Sequence, residues 1–67
     1  MARGTVQWFS DQRGYGFIAA EGAEEVFVHH SSIEGSGFRT LHEGETVEFD
    51  IKPGIRGAEA AHVVRLS

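Results

Sequence analysis

An all-β fold is predicted for this chain, closing as a five-stranded antiparallel Greek-key barrel. Three observations predict it. Five short runs of 4–7 residues are rich in β-branched and aromatic side chains or alternate in polarity. Nine glycines and the single proline fall mostly between those runs. No window sustains a helical period over about 11 residues. An open sheet this small would expose one face and two edges. Closure into a small barrel removes both problems.

The elements follow in order. Val6–Phe9 reads as the first strand and Tyr15–Ala19 as the second. Ser10–Gly14 between them is a tight polar turn. Glu25–His30 is the third strand, reached through a hairpin connection at Ala20–Glu24 that contains Gly22. Ser31–Glu34 has room for one helical turn at most. Residues 35–44 form the longest loop. Thr46–Lys52 is the fourth strand, with Val47, Phe49 and Ile51 alternating against charged neighbours. Pro53-Gly54, with Gly57 after it, signals a turn, and Ala60–Arg65 is the fifth strand.

Composition narrows the function. With 67 residues and no cysteine, the chain supports one small domain without disulfides or Cys-based zinc sites. No apolar run approaches the ~20 residues that span a bilayer. Met1–Thr5 leads into no apolar signal segment. A soluble, cytoplasmic protein without membrane association is therefore expected. The net charge of −4 argues, taken alone, against a nucleic-acid binder. Its distribution is uneven: residues 1–17 carry +1, residues 18–50 carry −7, and residues 51–67 carry +2.

Five of the seven aromatic residues lie within residues 8–27. Parity along the strands sorts them. Ile18, Val26 and Val28 form an aliphatic core face. Tyr15, Phe17, Phe27 and His29 then share the opposite face, towards solvent. If the second and third strands pair, these four rings form one contiguous patch. An exposed apolar patch of that kind marks a binding surface. Stacking of bases is the reading favoured here, at about 1–3 kcal/mol per base with tolerance for any base. Self-association is the alternative. Phe9 and Phe49 are assigned to the core. Strict alternation puts Trp8 with Val6 on the core side, whereas a bulge in strand one would turn it outward; the sequence leaves both open. His30 shares parity with Val26 and Val28, yet ends its strand and can splay to solvent.

Arg13-Gly14-Tyr15-Gly16-Phe17-Ile18 resembles one RNP-type signature, and Val26-Phe27-Val28-His29 resembles a second. Together with Trp8-Phe9 before them and Gly37-Phe38-Arg39-Thr40-Leu41 after, the chain resembles a bacterial cold-shock protein. The resemblance runs from Gly4 to about Val64. Two such motifs in this order, at this spacing and total length, are highly specific. The RNA-recognition motif carries related signatures in the opposite order on a longer chain with helices. The resemblance implies one cold-shock domain over residues 1–67, folded as an OB-type barrel. It implies binding of single-stranded RNA and single-stranded DNA, and RNA chaperone activity with influence on transcription or translation. Carried over by position, the stacking residues are Trp8, Phe17, Phe27, His29 and Phe38. Tyr15 and His30 occupy further ring positions, and Arg13, Arg39 and Arg56 make cationic or stacking contacts at the rim. Departures from the pattern trim affinity without removing the platform. Gln7 stands for a usual lysine, Ser10 for asparagine, His30 for phenylalanine or tyrosine, and Ala58 for proline.

Other signals read as ordinary structure. His29 and His30 are expected on opposite faces of a strand, where they cannot easily chelate one ion. His42 and His62 lie far off, so no metal and no cofactor is expected. Gly14-Tyr15-Gly16 lacks the lysine and helix of a phosphate loop. Ser31-Ser32 beside the histidines would lie in open solvent with no carboxylate placed to orient them, so no enzyme is expected. Histidine changes charge between pH 5 and 8, so binding through His29 and His30 is expected to strengthen as pH falls. A monomer is expected. Two rival readings remain: a protein–protein interaction module, and an OB-type translation-factor or ribosomal domain that reads folded RNA.

Overall fold

In the computed structural model, which describes residues 1–22, 25–35 and 39–66, five strands close into a barrel. They are β1 (Ala2–Ser10), β2 (Tyr15–Ala20), β3 (Glu25–His29), β4 (Thr46–Gly54) and β5 (Gly57–Arg65). The order around the barrel is β1-β2-β3-β5-β4. Neighbouring pairs run antiparallel except at one seam. There β3 meets β5 in parallel, through Phe27 opposite Glu59. An isolated parallel bridge between Ile33 and Val63 continues that seam, and the Glu34 N–H donates to the Val63 carbonyl at 2.8 Å. The connection between β3 and β4 begins with a 3-10 turn at His30–Ser32.

The core is aliphatic with one large ring at its centre. Ile18, Val28, Val47, Phe49 and Val63 are fully buried, and Val6 and Val26 nearly so. β2 and β3 alternate strictly, with Ile18, Val26 and Val28 inward. Phe9 is partly buried against this cluster. Gly16 is buried where β2 packs tightly on β1. A Cβ on it would run into the Trp8 carbonyl and the Phe9 Cα.

Several expectations need correction. β1 starts earlier than Val6, because Ala2–Thr5 pair with β4. The alternation of β4 fails at Ile51, which is 49% exposed. The ladder between β4 and β5 slips between Glu48 and Asp50, and His62 sits at the slip with a left-handed φ of 53°. Glu48 faces Val64, but Asp50 faces Ala61, so one extra residue resides in β5. Pro53-Gly54 is not the turn. Both continue β4, and Gly54 pairs with Gly57 around a two-residue tip, Ile55-Arg56. Gly57 takes the positive φ of 109° that this tip requires. The connection expected at 20–24 falls partly outside the described residues. β3 ends at His29, and His30 opens the 3-10 turn.

Candidate nucleic-acid interface

The outward face of β1–β2–β3 carries four rings in one closed circuit. Trp8 lies 5.7 Å from Tyr15 and 5.9 Å from Phe17, centroid to centroid. Phe27 lies 5.6 Å from Tyr15 and 5.9 Å from Phe17. Both contacts of Tyr15 are tilted, near 30°, and both contacts of Phe17 are edge-on, near 75°. Both geometries suit the ring quadrupole. Parity explains three of the four. Phe17 and Phe27 are direct partners across β2–β3, and Tyr15 sits two residues from Phe17 on the same face.

Trp8 joins them through a bulge. Val6 is opposite Ile18, but Trp8 is opposite Phe17, so β1 advances two residues while β2 advances one. Gln7 is the extra residue. Val6 therefore stays in the core while Trp8 turns out, 43% exposed.

His29 pairs with Tyr15 across β2–β3. The Ser31 N–H donates to His29 Nδ1 at 3.3 Å, which caps the 3-10 turn. That nitrogen is therefore the acceptor, and Nε2 carries the proton of the neutral ring. The Ser31 hydroxyl lies 2.9 Å from the same nitrogen. This pair lies exposed, and no carboxylate bonds to His29 among the described residues.

The two adjacent histidine rings do not point to opposite faces. Their centroids are 4.4 Å apart. Strand alternation stops at His29, and the 3-10 turn swings His30 back beside it. The His30 ring also lies against Gly14. No group of three or more metal-ligating side chains is assembled among the described residues.

The cations occupy the rim. The Arg13 guanidinium donates to the Tyr15 hydroxyl at 3.3 Å. The Arg56 guanidinium sits over two rings at once, 5.3 Å from Phe27 and 5.8 Å from Tyr15. Arg39 is exposed and shares a cleft of about 420 Å³ with Phe9, Arg13 and His30. Asp11 and Thr40 are hydrogen-bonded across that cleft. Phe38, expected as a stacking residue, lies outside the described residues.

At the β4–β5 tip the sequence points to Arg56 but not to Ile55. Ile55 is fully exposed and lines a groove of about 470 Å³ with Phe27, His29, Arg56 and Glu59. The signal was an isoleucine inside a Pro-Gly-Ile-Arg-Gly stretch, where no core position exists to hold it.

The profile of the 'Cold-shock' DNA-binding domain matches residues 2–66. The chain belongs to the cold-shock domain family. Among curated proteins, it is 54% identical to the cold shock protein CspB of Bacillus caldolyticus. It is equally similar to the cold shock-like protein CspLB of Listeria monocytogenes. Each match covers 98% of this chain and the whole relative. The major cold shock protein of Streptococcus pyogenes is 48% identical over the full length of both chains. Among solved structures, Drosophila Unr CSD456 superimposes with a TM-score of 0.78 at 21% identity. That match covers 98% of this cold-shock domain and 26% of the Unr chain, and speaks to the OB-type fold alone. No helix of this cold-shock domain is long and apolar enough to cross a membrane among the described residues.

Proposed function

We propose that this protein is a single cold-shock domain, residues 1–67, that binds single-stranded RNA and DNA in the cytoplasm as a monomer. The observation that carries this reading is the circuit of Trp8, Tyr15, Phe17 and Phe27, four rings on one outward face, each in contact with two others. Unpaired bases stack on these rings and on His29, with His30 extending the track and Phe38 assigned as a stacking residue by its position in the family motif. Arg13, Arg39 and Arg56 hold its rim. Each stack contributes about 1–3 kcal/mol with little regard to base identity.

Chaperone action follows from the same geometry. A duplex hides its base faces, so the platform captures only unpaired segments. Mass action then shifts hairpins towards open strands without ATP. Transcripts held open in this way alter transcription and translation indirectly. No acid–base or nucleophilic centre is needed, and the exposed His29–Ser31 pair serves as a turn cap rather than a catalyst.

Trp8 is the only tryptophan and its own probe. Titration with a seven-nucleotide oligothymidine is expected to quench its emission strongly, whereas a matched duplex leaves it unchanged. Equal quenching by the duplex, or none by the single strand, would overturn the reading. Preference for folded RNA would favour a ribosomal-type domain, and a mass that rises with concentration would favour a protein–protein module.

A further inference from the structure

Glu59 is a carboxylate in a place that a polyanion-binding surface would be expected to keep free of negative charge. Its Cα is the parallel partner of Phe27 across the barrel seam, so both side chains rise from the same face. Phe27, His29, Ser31, Arg56 and Glu59 line one groove of about 470 Å³ beneath the β4–β5 tip. Glu59 is half-buried there, and it has no hydrogen-bond or ion-pair partner among the described residues. Even Lys52, directly opposite in the β4–β5 ladder, does not pair with it. Gly54 leaves the room that the carboxylate fills, since a Cβ there would collide with Glu59 Oε1.

An ionised carboxylate only accepts hydrogen bonds. It repels phosphate, and it attracts a base edge rich in donors. Guanine presents two neighbouring donors, N1–H and the 2-amino group, which match the two carboxylate oxygens. Uracil and thymine present one N–H between two carbonyls, which oppose the carboxylate. Adenine and cytosine present an amino group beside an acceptor nitrogen. We propose that Glu59 reads the Watson–Crick edge of the base stacked on Phe27 and selects guanine at that position. The groove thereby gives an otherwise base-tolerant platform one preferred register on a strand. This inference rests on the stacking function proposed above.

The test walks a single guanine through positions 2–6 of a thymidine heptamer and reads quenching of Trp8. One register should bind about five- to tenfold more tightly than oligothymidine, the lower part of the range for a bidentate base contact. Inosine, which lacks the 2-amino group, should lose much of that gain in the unchanged protein. Glu59→Gln, nearly isosteric, should abolish the gain and tighten oligothymidine binding, because a repulsive charge is gone. Equal binding of every heptamer by the wild type, or a guanine gain that survives in Glu59→Gln, would overturn the inference while leaving the stacking function intact. Failure of every heptamer to quench Trp8 would overturn both.

Discussion

At the scale of single residues, Phe17 and Phe27 face outward yet are only half-exposed, because each ring shelters its neighbours. Phe49 is their opposite, wholly buried at the barrel centre. Alanine separates the two roles. Phe17→Ala or Phe27→Ala is expected to weaken oligonucleotide binding by about 1–3 kcal/mol. The accompanying loss of stability should be about 1 kcal/mol, the size of the ring–ring contacts removed. Phe49→Ala should cost about 3–5 kcal/mol, comparable to the whole stability of a domain this small. Thermal melts beside Trp8 titrations check this. Equal melting shifts for Phe17→Ala and Phe49→Ala would place Phe17 in the core.

At the scale of elements, the β1 bulge and the approach of β1 to β2 build the platform together. Gly16 pairs with Phe9, next to the register shift that turns Trp8 outward. A methyl at Gly16 meets β1 backbone at Trp8 and Phe9 before it meets the Phe9 ring, and that backbone cannot simply move aside. Gly16→Ala is therefore expected to pry β1 from β2, at a cost of about 1–3 kcal/mol. Trp8 quenching should fall with it, although no stacking residue is changed. A variant with unaltered melting and quenching would show that the strands can relax apart freely. The inward and outward faces of β2 and β3 were legible from polarity alone, since both alternate without interruption. β5 was less legible, because a bulge at His62 resets the parity that places Val63 inward and Val64 outward, and on β4 Ile51 is half-exposed although its ladder partner Ala60 is buried.

At the scale of the molecule, a net charge of −4 has to coexist with binding to a polyanion. In the proposed stacking mode the rings carry the affinity, and few phosphates need be touched. With about two or three phosphate contacts, the log–log salt slope for single strands should be about −1.4 to −2.1. A titration series at several salt concentrations measures it, and a slope steeper than about −4 would mean that phosphate neutralisation dominates. Charge also bears on stability away from the platform. Arg3 on β1 sits directly opposite Glu48 on β4, with an ion pair at 3.3 Å. The Arg3 side chain is 59% exposed, so solvent screening holds the pair to below about 1 kcal/mol. Arg3→Glu goes further: it places like charges opposite each other and takes the net charge from −4 to −6. The variant should melt at a lower temperature than wild type in dilute buffer, with the gap narrowing as salt is added. A gap indifferent to salt would point to packing instead.

The sequence by itself determined the five strands, the aliphatic core face and three of the four platform rings. Side-chain parity along a strand is dictated by covalent backbone geometry, so Tyr15, Phe17 and Phe27 could be placed from their neighbours alone. Tertiary structure decided the rest. Trp8 faces outward only because pairing with β2 leaves Gln7 without a partner. His29 and His30 come together because the chain leaves the strand between them. Arg56 covers Phe27 and Tyr15, and Glu59 enters their groove, because the barrel closes β5 onto β3. Bulges are set by how one strand pairs with its neighbour, and closure by strands far apart in the chain, so the pattern within a single strand encodes neither.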